Sequence, residues 1–167
     1  MKEMTKSNMQ TAFAGESQAH MKYMIFADLA EREGFPNIAR LFRAASFSEQ
    51  MHATAHLRAL GSASTTAKNL EGALGGENFE IAEMYPAYIA VANLQEEKGA
   101  TVSMDRALQA EKVHSKLYAR AKETAEAKKD IDLTAIFVCE VCGYTVEGAA
   151  PDKCPICSAP ANRFRKF

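Results

Sequence analysis

Glu49-Gln50-Met51-His52 and Glu111-Lys112-Val113-His114 are the two stretches that decide the fold. Each offers a carboxylate and an imidazole three residues apart, which on a helix points both the same way, toward one ion. Working outward, Glu16 precedes the first stretch by about one helix length, and Glu80-Ile81-Ala82-Glu83 precedes the second similarly. A Glu from each of two helices and a Glu-x-x-His from each of two others make a two-metal ligand set inside a four-helix bundle. Solvated helix faces are the ordinary place for Glu. Here Glu16, Glu49, Glu80 and Glu111 fall on apolar stripes, where unpaired carboxylates would be costly or would stay protonated.

The flanking periodicity predicts the helices. Phe13, Glu16, His20, Tyr23 and Ala27 share one face of a helix over residues 5–33, which Gly34 and Pro36 bring to a stop and a restart. Ile38, Leu41, Phe42, Ala45, Glu49, His52 and His56 form the stripe of a second helix over 37–60. The run 61–66 reads as a loop; a third helix ends at Lys98-Gly99, and a fourth spans about 101–128. Pro86 cannot donate to residue 82, so a kink or bulge is expected near Glu83. The halves also echo each other: Glu16 matches Glu80 at an offset of 64, and Glu49/His52 matches Glu111/His114 at 62. A duplicated helical hairpin is expected. His20 and His56 sit one turn from proposed ligands and read as core or surface histidines, with a spare-ligand role as the alternative. The methionines read as core filler.

Composition narrows the class. With 20 basic and 21 acidic residues the net charge is −1, unlike a nucleic-acid-binding surface. The polar start Met1-Lys2-Glu3-Met4-Thr5-Lys6 lacks a signal-peptide core, and no apolar run approaches a membrane span. A cytoplasmic protein is expected. All 4 cysteines fall in Cys139-x-x-Cys142 and Cys154-x-x-Cys157, a tetrahedral thiolate set for iron or zinc rather than a pair of disulfides. Residues 129–136 read as the linker before it.

Phe13-Ala-Gly-Glu16-Ser-Gln-Ala, Glu80-Ile-Ala-Glu83-Met-Tyr-Pro86 and Ala110-Glu111-Lys-Val-His114, with the rubredoxin-like tail, resemble rubrerythrin over nearly the whole chain. The resemblance implies an all-α, ferritin-like four-helix bundle over 1–130 and a small C-terminal rubredoxin-like β/knuckle domain over 134–167. It implies a di-iron centre, oxo- and carboxylate-bridged, on Glu16, Glu49, His52, Glu80, Glu83, Glu111 and His114. It implies a further iron on Cys139, Cys142, Cys154 and Cys157, with zinc as the alternative. One iron is expected to move between His52 and Glu83, with Tyr23 and Tyr88 hydrogen-bonding near the pair. The implied activity is reduction of hydrogen peroxide in oxidative-stress defence, with electrons from rubredoxin or an NAD(P)H-dependent reductase. A ferroxidase or iron-handling role is the alternative.

Chain connectivity bears on assembly. If the second helix ends near residue 60 and the third starts near Thr66, six linking residues reach only about 20 Å. A ferritin-like return along the bundle needs roughly 35 Å. Either the third helix begins late, near Gly75-Gly76, or the hairpins exchange between two chains of a homodimer.

Overall fold

The structure, a computed structural model, describes Met1–Phe167. The chain divides into two compact units, Met1–Ser64 and Thr65–Phe167. That boundary falls inside the segment expected to form one bundle, so each unit holds one hairpin.

The first unit is α1 (Glu3–Arg32) packed along α2 (Pro36–Ala59). Gly34 takes the left-handed conformation at φ 84°, which favours glycine, and Pro36 opens α2, where a missing N–H costs nothing. Ala27, Ala30, Ala39 and Ala53 are buried, together with Ser46. These small side chains let the two backbones approach closely. Large apolar residues such as Ile25, Leu29, Ile38, Leu41 and Phe47 remain exposed.

His20 and Ser46 fasten the pair. The Ser46 hydroxyl donates to the His20 carbonyl oxygen at 2.9 Å, and His20 Nδ1 lies 3.0 Å from the Ser46 carbonyl oxygen. His20 is thus a partly buried helix-pairing histidine.

The second unit opens with α3 (Thr66–Phe79), capped by Thr65, whose side chain accepts from the Lys68 N–H. The early start prevails over Gly72, Gly75 and Gly76, because α3 packs along α5 and the cap satisfies an end N–H. A π-helical turn, Glu80–Met84, follows, and α4 (Tyr85–Leu94) carries the helix on. The Tyr85 N–H reaches back to the Glu80 carbonyl, five residues away. The bulge expected near Glu83 is therefore present, one residue before Pro86 needs the ladder to open. After a left-handed Glu96 (φ 58°), α5 (Lys98–Glu126) returns along α3 and α4. Ala92 and Ala110 are buried in this hairpin.

The tail is a three-stranded antiparallel sheet in the order β2-β1-β3: β1 Ile136–Cys139, β2 Thr145–Glu147 and β3 Phe164–Lys166. Its small core is Cys139, Cys154 and Ala159. No helix is long and apolar enough to cross a membrane.

Because Ser46 is 1% exposed and bonds both ways across the pair, Ser46→Ala is expected to cost about 1–2 kcal/mol in denaturant unfolding. The far-ultraviolet helical signal of the folded protein should not change.

Candidate metal centres

Each hairpin builds the same half-site. In the first unit, α2 presents Glu49 and His52 from one turn, and α1 brings Glu16 opposite. His52 Nδ1 lies 2.9 Å from Glu49 Oε2 and 3.9 Å from Glu16 Oε1. In the second unit, α5 presents Glu111 and His114, with His114 Nδ1 2.6 Å from Glu111 Oε2 and 3.9 Å from Glu77 Oε1. The ligand atoms of each group lie within 4.8 Å of one another. The sequence duplication is therefore a duplication of geometry.

The carboxylate opposite Glu111/His114 is Glu77, where the sequence reading expected Glu80. Glu77 lies one turn earlier and matches Glu16 at an offset of 61, close to the 62 that relates the Glu-x-x-His pairs. Glu80 is half-buried and close enough that Glu111 and His114 both act on its charge. Glu83 and Tyr88 are exposed, and the structure does not bring them to the Glu111/His114 group; Tyr23 is half-buried against Phe26 and Phe42. Tyr85, which the sequence reading does not single out, also feels this group. Burial raises its hydroxyl, and the charges of Glu80, Glu111 and Glu77 raise it further. The signal for both was present in the ladder Glu77-x-x-Glu80-x-x-Glu83 and in the bulge that turns Tyr85.

The electrostatics call for a cation. Burial, then the hydrogen bond and charge of Glu111, push the Glu77 carboxyl up to about 7. Its Oε2 is buried without a hydrogen-bond partner. Burial and Glu111 raise Glu80 as well, while His114 opposes them. An orphaned carboxylate oxygen beside an imidazole nitrogen fits a divalent ion with mixed oxygen and nitrogen ligands, such as iron or manganese.

The cysteine site is better defined. All four cysteines are free thiols, with Cys139 Sγ 3.6 Å from Cys157 Sγ and Cys142 Sγ 3.6 Å from Cys154 Sγ. That is too long for a disulfide, and near the roughly 3.8 Å edge of a tetrahedron with metal–sulfur bonds of about 2.3 Å. Burial drives the Cys142 thiol upward. Burial works against the Cys154 thiolate too, yet the backbone N–H groups of Cys157 and Ile156 bring that thiol down to about 7. The knuckles thus turn peptide dipoles toward sulfur, and the set fits one tetrahedral iron or zinc.

The cysteine module rests on α5. His114 Nε2 lies 2.9 Å from Thr145 Oγ1, Arg120 pairs with Glu147, and the Thr134 N–H donates to Glu147 at 3.2 Å.

Helical hairpins carrying carboxylate–histidine half-sites, joined to a tetrahedral cysteine module, define a metalloprotein of the electron-transfer class. The family model "Rubrerythrin" matches residues 7–122, and "Rubrerythrin, rubredoxin-like domain" matches 137–165. Rubrerythrin-2 of Clostridium acetobutylicum is 38% identical, over 98% of this chain and 97% of its own length. Nigerythrin of Nitratidesulfovibrio vulgaris is 34% identical, over 98% and 86%. Solved structures of nigerythrin, in mixed-valence and in fully reduced, all-ferrous states, align at 32% identity and TM-score 0.57, covering 98% of this chain and 86% of theirs. This chain belongs to the rubrerythrin family. Its fold is of the ferritin-like class with a rubredoxin-like domain, and the family is one of di-iron oxidoreductases related to oxidative stress.

In metal-free protein, Glu77 costs stability once it ionises. Its carboxyl is raised in the folded state, so stability is highest below the unfolded value and falls as pH rises through about 7. Glu77→Gln should stabilise the metal-free protein at pH 8 by on the order of 1–2 kcal/mol and flatten that pH dependence. Urea unfolding at several pH values measures both.

Proposed function

We propose that this chain is a non-haem di-iron peroxidase that reduces hydrogen peroxide to water in oxidative-stress defence. The observation that carries the reading is the pair of matching half-sites, Glu16/Glu49/His52 and Glu77/Glu111/His114, on a chain that also holds a four-cysteine site. The all-ferrous state named for nigerythrin supports iron as the occupant.

Bound as a pair, ferrous ions supply the two electrons that, with two protons, convert one peroxide into two waters. The protein's part is to hold and neutralise that pair. Glu16, Glu49, Glu77, Glu111, His52 and His114 are the fixed ligands in this reading, with Glu80 beside them. Glu83 is exposed and lies in the π-helical turn, where the regular ladder is already open. To serve as the movable carboxylate that exchanges with His52, itself exposed, it would have to swing in from this exposed position. Tyr85, which feels the charges of Glu77, Glu80 and Glu111, offers a hydroxyl at the second half-site; Tyr23 and Tyr88 would need to turn toward the pair to do the same. Cys139, Cys142, Cys154 and Cys157 would hold an iron that accepts electrons from rubredoxin or an NAD(P)H-dependent reductase. The location is cytoplasmic, where such thiolates stay reduced.

The active form is a homodimer with exchanged hairpins. Residues 60–65 join α2 to α3, and fully extended they reach about 25 Å. From the level of His52 to the end of α2, and from the start of α3 to the level of Glu77, the axial rise adds up to about 27 Å. A return within one chain is too long for the link, whereas a second copy's hairpin needs no return. The alanine-dominated cores and exposed apolar faces of each hairpin support such a partner.

Anaerobically reduced, iron-loaded protein should oxidise a reduced rubredoxin donor in step with added peroxide, one peroxide per two electrons. Cys142→Ser should remove donor-linked turnover while leaving peroxide oxidation of the ferrous pair. Fast oxidation of ferrous iron by oxygen with no donor-linked turnover would establish the iron-handling role instead. Light scattering should give twice the 18.3 kDa chain mass; a monomer at micromolar concentration excludes hairpin exchange.

A further inference from the structure

The contact between α5 and the cysteine module has a directional chemistry. His114 faces two ways: Nδ1 toward Glu111 and Glu77, and Nε2 toward the Thr145 hydroxyl at 2.9 Å. Thr145 is 6% exposed, and its hydroxyl donates to the Gly143 carbonyl at 3.1 Å. That donation uses the only proton on the hydroxyl. Toward His114 it can only accept, so Nε2 must carry a ring proton, which leaves Nδ1, 2.6 Å from Glu111 Oε2, as the nitrogen that can give up its carboxylate contact to an ion.

The Thr145 hydroxyl is itself held by the metal-binding knuckle. Gly143 follows Cys142 directly and turns at φ 78°. Its N–H donates to the Cys139 carbonyl at 2.9 Å, and the Cys139 N–H donates to the Tyr144 carbonyl at 2.9 Å. Residues two apart on a strand share a face, so Thr145 and Glu147 both turn toward α5, where Glu147 takes Arg120. One face of β2 is thus tied to α5 at two points, His114 and Arg120.

From this geometry we infer that Thr145 is a positioning residue: it locks His114 in the Nε2–H tautomer with Nδ1 free for a metal, and so makes docking of the cysteine module a condition for a complete carboxylate–histidine site. The inference rests on His114 being a ligand, as proposed above. A side chain that orients a ligating histidine typically changes metal affinity 10–100-fold when removed.

The test uses full-length, zinc-loaded protein labelled with 15N-histidine, in wild type, Thr145→Val and Thr145→Ser. Two-bond proton–nitrogen spectra read the tautomer of His114, and chelator competition reads the affinity of ions held outside the cysteine site. Wild type and Thr145→Ser should show a single Nε2–H tautomer, with Nδ1 shifted by zinc. Thr145→Val should show mixed tautomers and a 10–100-fold weaker affinity for one ion, with cysteine-site absorption unchanged. If Thr145→Val matches wild type in both readouts, the inference is wrong and the metal assignment stands. If Thr145→Ser is as impaired as Thr145→Val, packing rather than the hydrogen bond is responsible, and the inference is wrong. If zinc leaves wild-type Nδ1 unshifted, His114 is no ligand and both readings fall.

Discussion

A carboxylate and an imidazole on one helical turn, met by a second carboxylate from the facing helix, set the terms for this molecule. Such a group on an inward face has no comfortable state alone. Its acids must take up protons, as the raised Glu77 and Glu80 begin to do, or a cation must balance them. The helices can bring these groups together because the residues buried between them are mostly alanine. Larger side chains there would hold the backbones apart and dissolve the cluster. Sequence, packing and chemistry thus meet at one requirement: close helices with charged interiors.

That requirement is satisfied twice over. Each hairpin makes three candidate ligands converge by itself, and the two groups match. The cysteine module is fixed to the second half through the far nitrogen of His114. The cysteine module and the carboxylate group are therefore joined through His114 and Thr145 by hydrogen bonding.

Much of this was legible in the chain. The two Glu-x-x-His turns, the hairpin duplication, the cysteine knuckles and the interruption before Pro86 all follow from local spacing, and the structure carries each of them. What escaped was tertiary. Periodicity places Glu77, Glu80 and Glu83 on neighbouring rows of one helix face but cannot say which row meets His114; the π-helical turn shifts that answer. The early start of α3 was open because three glycines argued against it, and only packing along α5 overrides them. His20 was ambiguous beside Glu16 until Ser46, on another helix, took its ring. Thr145 carried no signal at all: a lone threonine after a knuckle becomes informative only when a histidine 31 residues away is found against it.

Anomalous diffraction at the iron edge from crystals of reduced, iron-loaded protein tests the convergence of the two groups directly. Two peaks about 3.5–4 Å apart, enclosed by Glu16, Glu49 and His52 on one side and by Glu77, Glu80, Glu111 and His114 on the other, are the expected result. A single peak confined to the four cysteines, with Glu111 and His114 facing only solvent, would contradict it.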